Sequence, residues 1–409
     1  MKRLLSNKDF VIIALGLGSS GLGNTFSVFI MSWLLFDLTG SIFSMGSLWF
    51  VYVTSMIICH IISGPFLDKY NKKYIMIFSE WTKAIIFLLP LIALLTGNLT
   101  QEILYLVVIL LGFIEPVFRP SCMSYIPTIL EKKLLLKANS ILESIVQIMM
   151  VIGPSLGGIL IGIFDVEIVI TTLIVILILS GLFLTAIPNE KKSVISHKSS
   201  WLTDFKEGVS FFKDNKLFLW LAGLIFFVNI GAGATQPLLL PFVLNELNGS
   251  SFQYGIMSSG VAFGMLFGSL ILSNFKRINN LKLFMLGSLA LSGVFLMMIG
   301  VMNSFYLAFI CIVLYGLFIV IFNINNTTLY QLKVPENIRG RVFLARGLLA
   351  RIGIPVGAIV GSIIAEFLGF KLLFLILGLI TIIPCAVAWN LPQFNSLNTA
   401  STKDHYKGA

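Results

Sequence analysis

The sequence predicts an all-α integral membrane protein with twelve transmembrane helices in two six-helix halves. Of its 409 residues, 57% are hydrophobic and only 11% are charged, and the mean hydropathy is +0.97. Its apolar runs are long enough to cross a bilayer, because about 20 residues at 1.5 Å rise span roughly 30 Å of hydrocarbon. One long polar stretch lies midway along the chain and separates the first six runs from the last six.

The twelve runs set the expected domain boundaries. They cover 10–36, 44–64, 74–96, 103–126, 139–164, 166–187, 217–244, 253–273, 283–302, 304–329, 344–368 and 371–391. From them we expect an N-terminal six-helix bundle at 1–188, a cytoplasmic linker at 189–216, a C-terminal bundle at 217–391 and a cytoplasmic tail at 392–409.

The net charge of +10 is explained by the orientation of the chain in the membrane and does not require an acidic partner. If the N-terminus is cytoplasmic, 23 of the 28 Lys and Arg residues fall in the inner segments, as the positive-inside rule requires. We therefore expect both termini on the cytoplasmic side and no nucleic-acid partner. The predominance of Lys over Arg, 21 to 7, is associated with A+T-rich bacterial genomes, so the expected location is a bacterial cytoplasmic membrane.

The linker contains a candidate amphipathic helix. Its apolar residues recur at helical spacing on the side opposite Lys206 and Lys213, namely Trp201, Phe205, Val209 and Phe212. Such a helix suits the inner membrane surface, and an ordinary linker with a few apolar residues is the alternative.

Two short stretches occur once in each half. "TGSIFSMG" (39–46) corresponds to "NGSSFQYG" (248–255), and "IGPSLGG" (152–158) corresponds to "IGIPVGA" (352–358), with Gly153/Gly353 and Gly157/Gly357 each 200 residues apart. Duplicated six-helix halves with a site between them are typical of secondary transporters.

A Gly–Asp–basic pattern links the second and third runs. The stretch "GPFLDKYNKKYIM" (64–76) resembles the loop signature of the major facilitator superfamily, with Phe66 in place of a Leu and Asn71 in place of a Gly. The matching positions are Gly64, Asp68, Lys69, Lys72 and Lys73. The resemblance implies a charge network that latches one conformation. A solvated positive-inside loop is the alternative, and it does not explain Gly64 and Asp68.

A second motif resembles the exporting branches of that superfamily. "GPSLGG" (153–158) matches their fifth-helix signature, although Met149 replaces an upstream Gly. Further stretches are similar to the drug:proton antiporter branch that contains the macrolide efflux proteins, namely "LLFDLTGS" (34–41), "FRPSCMSYIPTILEKKLLLKANS" (118–140), "DFKEGVSFF" (204–212) and "RGRVF" (339–343). The resemblance implies the major facilitator fold and efflux as the activity.

The residues of this motif have their own physical meaning. Pro154 cannot donate to the Met150 carbonyl, and Gly153, Gly157 and Gly158 let another backbone approach closely. The glycines with matching four-residue spacing are Gly260, Gly264 and Gly268, and Gly353, Gly357 and Gly361. In the superfamily the fifth and eighth helices pack across the halves, so the resemblance implies a smooth surface on which the halves rock. Static packing is the alternative.

Five charged residues lie within the apolar runs of the first half at similar depth. They are Glu80 and Lys83 in the third, Glu115 and Arg119 in the fourth and Glu143 in the fifth, all expected in the cytoplasmic half of one bundle. Each costs roughly 2.5–3.5 kcal/mol near the bilayer centre, so it is paired or marks a path. The cluster is either a satisfied ion-pair network or a proton site. In the second case Glu115 is the expected carrier, with Glu80, Glu143 and Arg119 as further candidates.

The resemblance also implies that the first, fourth, seventh and tenth helices line a central cavity. Their polar candidates include Asn24, Asn229, Gln236 and Asn323. Sparse amides among many Phe residues suit a large amphipathic ligand, although each Asn could equally serve as a helix–helix hydrogen bond.

These patterns exclude several classes of function. There is no GxxxxGK[ST] loop for ATP, and no metal or catalytic-triad pattern. We expect neither an enzyme nor a metal or cofactor, with the proton gradient as the energy source. The expected function is proton-coupled, alternating-access export of amphipathic, macrolide-like drugs by a monomer in the lipid bilayer. The alternatives are an exporter of a lipid, siderophore or metabolite, and a non-transporting membrane receptor.

Overall fold

The computed structural model describes residue 4 and residues 6–189, 201–273, 280–335 and 338–399. Within these ranges the regular structure is helical, with no strand. Some side chains inside helices, including those of 63–69 and of Glu143, lie outside the described part.

The chain divides into two compact units. The first comprises Met1–Ile195 together with Ser250–Ser259, and the second comprises Ser196–Gly249 and Gly260–Ala409. The helices that lie wholly in the first unit are α1 (Lys8–Thr39), α2 (Ile42–Lys69), α3 (Lys72–Leu95), α4 (Gln101–Ile129), α5 (Lys132–Ile163) and α6 (Val166–Leu184). The start of α9 (Ser251–Ser273) also belongs to this unit.

The second unit holds the linker helix and the later membrane helices. Its helices are α7 (Trp201–Asp214), α8 (Lys216–Pro241), continued by a π-helical turn at Phe242–Glu246, the rest of α9, α10 (Leu281–Ile299), α11 (Phe305–Lys333), α12 (Arg339–Arg351), α13 (Gly353–Asn390) and the short α14 (Ser396–Thr399). A 3₁₀ turn at Pro392–Asn395 joins the last two.

The predicted twelve membrane crossings are confirmed. Within the described residues, eleven helical segments are long and apolar enough to span a bilayer. The last of them, Arg341–Asn390, contains most of α12 and all of α13. Gly369 interrupts α13 with φ 81° and ψ 166°. The final span therefore comprises two crossings, separated between the predicted runs 344–368 and 371–391.

The break at Gly369 predicts a backbone-specific effect of substitution. Gly369→Ala should lower the melting temperature of the detergent-solubilised protein, because this backbone region is essentially restricted to Gly and costs about 1–3 kcal/mol otherwise. A methyl group at this position has open space, so no clash contributes. Gly223→Ala is the matched control, since Gly223 lies inside α8 and also has open space. Equal melting temperatures for both variants would contradict the account.

The first unit is organised around α1, which packs on α4, α5 and α6, while α3 packs on α4 and α6. Close approaches are made through glycine. A Cβ on Gly153 of α5 would lie 1.9 Å from Thr25 Oγ1, and one on Gly157 would lie 2.9 Å from the Phe29 ring. These two glycines of the predicted motif therefore allow α5 to pack closely on α1.

The second unit repeats this contact in its own helices. Its largest helix–helix contact joins α8 and α13. Cβ atoms on Gly353 and Gly357 would lie 2.4 and 2.0 Å from the carbonyl oxygens of Phe226 and Ile230 in α8. Helix α8 is the first membrane helix of the second half, as α1 is of the first half. The corresponding glycines of the two halves therefore pack on corresponding helices, as the sequence repeat predicts.

The expected glycine contact between the fifth membrane helix, α5, and the eighth, α9, is present at Gly255 but not at the three glycines that the spacing singled out. Gly260, Gly264 and Gly268 pack on α11, and the Val313 and Leu317 carbonyl oxygens are the nearest neighbours of the last two. Four-residue spacing identifies a close-packing face on a helix and does not identify the helix that faces it.

The predicted linker helix is present as α7 and packs on α12. Glu207 pairs with Arg341. A Cβ on Gly208 would lie 2.3 Å from the Arg341 carbonyl oxygen. Phe212 is buried, with its ring 6.4 Å from that of Tyr330. Part of the apolar face of α7 thus packs on protein, and the location of this helix at the membrane surface stays a prediction.

The predicted linker and tail are only partly covered. Residues 190–200 of the linker and 400–409 of the tail lie outside the described residues. The preceding part of the tail is folded, with Phe394 and Leu397 buried. Lys282 Nζ donates to Asn395 Oδ1 at 2.7 Å.

Candidate proton site and glycine contact

The Glu115 carboxylate in α4 is half-buried and receives a hydrogen bond from a neighbouring helix. The hydroxyl of Tyr52 in α2 lies 2.5 Å from Glu115 Oε2, and donates to it. The same hydroxyl lies 3.3 Å from Asn24 Oδ1 in α1. Three helices of the first unit therefore meet through polar atoms at the Tyr52 hydroxyl.

A fully buried ion pair lies on α3 in the same unit. Lys83 Nζ is 2.5 Å from Glu80 Oε1, and the two side chains are 2% and 0% exposed. Lys83 also donates to Ser20 Oγ at 2.9 Å and lies 5.6 Å from the centre of the Phe118 ring. Glu80 Oε2 has no hydrogen-bond partner among the described residues. The membrane cost of these charges is reduced by direct pairing.

The two sites are electrostatically connected. The charges of both Lys83 and Glu80 act on the Glu115 carboxylate. The Lys83–Glu80 pair is sealed from solvent, whereas Glu115 retains partial exposure. Of these two carboxylates, Glu115 is therefore the more exposed one, and its protonation does not disrupt a buried ion pair.

The other proton-coupling candidates are less closely defined. Arg119 lies one turn after Glu115, and its side chain is exposed. The side chain of Glu143 lies outside the described part. Glu80 and Lys83 form an ion pair, but Glu80 Oε2 lacks a hydrogen-bond partner among the described residues. The roles of all four predicted coupling residues stay predictions.

Gly158 makes a different contact from the other glycines of its motif. A Cβ on Gly158 would lie 2.4 Å from the Ser251 carbonyl oxygen, and one on Gly255 would lie 2.5 Å from the Pro154 carbonyl oxygen. Because Ser250–Ser259 belongs to the first unit, this backbone-to-backbone packing lies within that unit. The end of the repeated stretch 248–255 therefore meets the "GPSLGG" motif directly.

Serine hydroxyls reinforce this crossing of α5 and the start of α9. Ser155 Oγ and Ser259 Oγ are 2.9 Å apart. Ser259 also donates to the Val151 carbonyl. The ring of Tyr254 stacks on that of Phe29 in α1 with centroids 4.7 Å apart. Small residues allow close packing of membrane helices, and Ser hydroxyls form hydrogen bonds between them. Both kinds of interaction hold α5 against the start of α9.

The residues of the predicted latch occupy the end of α2 and the start of α3. Gly64, Asp68 and Lys69 fall in the part of α2 whose side chains lie outside the described residues, so the latch stays a prediction. Asn71, which replaces the motif glycine, caps α3 by accepting from the Lys73 amide at 3.0 Å. Lys72 Nζ donates to the Tyr70 carbonyl at 3.5 Å.

The four cavity candidates differ in their contacts. Asn24 joins the Tyr52–Glu115 site. Asn229 donates to the Ala350 carbonyl at 2.9 Å, which is the helix–helix role we considered as the alternative. Gln236 is exposed and Asn323 is half-buried. Contact with a substrate stays a prediction for all four.

Sequence reasoning missed Tyr52 and Gly255. Tyr52 lies in an apolar helix without a charged neighbour, so its only signal was a phenol in a membrane span, where a hydroxyl needs a partner. Gly255 was visible as the last residue of a repeated stretch, but its partner was not. Among the described residues, no group of three His, Cys, Asp or Glu side chains is placed to hold a metal ion.

The family follows from a comparison of sequence models. The model of the Major Facilitator Superfamily matches residues 13–239 and 221–404. The chain belongs to the major facilitator superfamily. Membership in this superfamily accounts for the twelve crossings and for the repeated packing of its two units.

Several transporters of the superfamily are similar to this member. Macrolide efflux protein A of Streptococcus pyogenes is 23% identical over 347 residues, covering 83% of this chain and 84% of its own. The staphyloferrin A transporter of Staphylococcus aureus is 24% identical over 370 residues, covering 88% and 90%. These relatives indicate a multi-pass transporter of small molecules in the bacterial cytoplasmic membrane.

Solved structures agree on the fold. The crystal structure of a bacterial homolog of the human lysosomal transporter Spinster matches with a TM-score of 0.74 at 14% identity, covering 97% of this chain and 98% of that one. At this identity the likeness concerns the fold alone.

Proposed function

We propose that this protein exports amphipathic, macrolide-like small molecules in exchange for protons, by alternating access. The observation that carries the proposal is the half-buried Glu115 carboxylate, held by Tyr52 inside a membrane bundle and next to the sealed Lys83–Glu80 pair. An ionisable group at such a position normally marks an ion path or a proton relay. The proton gradient is then the energy source, and no cofactor is needed.

The cargo is proposed from two independent lines of support. The "GPSLGG" motif resembles exporters of the superfamily, and macrolide efflux protein A is a relative. A chain with 35 Phe and few polar residues in its spans also suits a large apolar cargo with few directional bonds. We further propose that the protein acts as a monomer, with both termini cytoplasmic and no nucleic-acid partner.

Purified protein in liposomes tests this function. An imposed pH gradient, acidic on the side to which substrate moves, should drive accumulation of radiolabelled erythromycin or of ethidium. A proton conductor that collapses the gradient should return accumulation to the level of protein-free liposomes. Accumulation that is unchanged after this collapse would contradict proton antiport.

A siderophore or another metabolite is the second candidate cargo, favoured by the similarity to the staphyloferrin A transporter. A lipid cargo and a non-transporting receptor are the remaining alternatives. Susceptibility of cells that lack or overproduce the protein, measured across a drug panel, separates these candidates. A drug exporter should change macrolide susceptibility, whereas a siderophore exporter should change growth only under iron limitation.

A further inference from the structure

The Tyr52 hydroxyl has one proton and two acceptors within reach. Its oxygen lies 2.5 Å from Glu115 Oε2 in α4 and 3.3 Å from Asn24 Oδ1 in α1. A hydroxyl can donate a full hydrogen bond to only one of them at a time. A charged carboxylate is the stronger acceptor of the two, because hydrogen bonds to ionised groups are stronger than those between neutral groups.

We propose that Tyr52 is a positioning residue that transmits the protonation of Glu115 to α1. The inference rests on the proposed proton antiport and adds a residue and a route to it. Proton uptake by Glu115 would switch Tyr52 from a bond between α2 and α4 to a bond between α2 and α1.

The switch follows from the inventory of donors. When Glu115 is a carboxylate, it can only accept, so Tyr52 donates to it. When Glu115 is protonated, its new O–H donates to the Tyr52 oxygen, and the phenolic hydrogen rotates to Asn24 Oδ1. The added proton stays on Glu115 and the phenolic proton stays on Tyr52. No bond to a heavy atom forms or breaks.

The charged and polar groups around Glu115 come from three neighbouring helices and from its own helix. From α3 the charges of Lys83 and Glu80 act on it, and on its own helix Arg119 lies one turn away. From α1 and α2 the groups that we find at the site are the neutral Asn24 and Tyr52. The Lys83–Glu80 pair is sealed, whereas the Tyr52 hydroxyl has two acceptors within reach and can reorient between them.

Tyr52 also has room to move. Its ring borders an apolar cavity of about 10 Å³, lined also by Leu48, Trp49 and Val108. This is roughly the space that one water molecule needs. Trp49 packs edge-on against Tyr52 with ring centroids 6.1 Å apart, and the switch itself needs only a rotation of the phenolic hydrogen.

The receiving end of the switch lies beside the glycine contacts. Asn24 precedes Thr25, which packs on Gly153, and Phe29 one turn later packs on Gly157 and stacks on Tyr254. A bond formed at Asn24 therefore acts on the part of α1 that packs against α5 and the start of α9. Protonation of Glu115 would thereby act on the close contact between α5 and the start of α9.

Tyr52→Phe tests the inference, because it keeps the ring and removes only the hydroxyl. Proteoliposomes are assayed for pH-gradient-driven accumulation of erythromycin and for its exchange at equal pH on both sides, which needs no net proton movement. We expect accumulation to fall about tenfold or more, because this is the scale of the effect of losing a hydrogen bond to a charged group. Exchange should stay within about twofold of wild type. Asn24→Ala should show the same loss of accumulation with the same retention of exchange.

The controls separate a coupling role from a structural one. Tyr105→Phe removes another hydroxyl of the first unit, which contacts Ser47 and the Ser44 carbonyl, and should change neither assay. In a Glu115→Gln background, Tyr52→Phe should leave exchange at equal pH unchanged. Equal losses of accumulation and exchange, no loss of accumulation, or a loss of exchange in the double variant that neither single variant shows would overturn the inference.

The two proposals fail in different ways. If Glu115→Gln accumulates erythromycin as wild type does, the proposed role of Glu115 in proton antiport fails. If Glu115→Gln loses accumulation while Tyr52→Phe and Asn24→Ala retain it, proton antiport stands and only the Tyr52 route is rejected.

Discussion

Glu115→Gln should reduce pH-gradient-driven accumulation of erythromycin to the level of protein-free liposomes and leave exchange at equal pH largely intact. Gln keeps the size and the ability to accept from Tyr52, which now donates at 2.5 Å to a carboxylate oxygen. It cannot bind or release a proton. The variant thus resembles a permanently neutral carrier that can still reorient with substrate.

The matched control for this prediction is Glu102→Gln. Glu102 lies on the same helix, α4, and is exposed in its first turn. We expect accumulation and exchange to match wild type in this control. Proton-driven accumulation by Glu115→Gln at the wild-type rate would remove Glu115 from the coupling role. Loss of both accumulation and exchange would point to a structural defect instead.

Gly158→Leu should insert into the membrane and fold, yet lose transport in both assays. Any Cβ at this position lies 2.4 Å from the Ser251 carbonyl oxygen and 3.2 Å from Gly255 Cα. Both neighbours are backbone, so the clash cannot be relieved by a side-chain rotation. Overpacking typically costs about 1–3 kcal/mol, enough to spread α5 from the start of α9 without unfolding the bundle.

Gly162→Leu provides the comparison within the same helix. Gly162 is exposed, and the nearest atom to its Cβ position is Ser251 Oγ at 3.4 Å, an ordinary contact. The predicted result is transport close to wild type, measured as erythromycin exchange per milligram of monodisperse protein. Normal transport by Gly158→Leu would show that close approach at this crossing is not needed for function.

The sequence was sufficient for the architecture because lipid imposes a strong constraint. Backbone polar groups in a bilayer must be satisfied within the segment, so a long apolar run implies a helix. The break at Gly369 was predictable from the gap between the runs 344–368 and 371–391. The duplication was predictable from Gly153 and Gly353, which occupy corresponding contacts on α1 and α8.

The site was only partly predictable, because sequence spacing gives positions along a helix and not the partners across it. Glu80 and Lys83 share one helix, so their pairing could be anticipated. Tyr52 is 63 residues from Glu115, and no spacing rule links them. Likewise Gly264 was expected to meet α5 but packs on α11, since the same small-residue spacing suits any close neighbour.

The central claim is that Glu115 carries the proton that is exchanged for substrate. Its most direct test is the proton release that accompanies substrate binding, measured with a pH indicator in weakly buffered, detergent-solubilised protein. Wild type should release protons when erythromycin is added, and Glu115→Gln should release none while still binding erythromycin. Erythromycin binding without proton release in wild type, or equal release in Glu115→Gln, would contradict the claim.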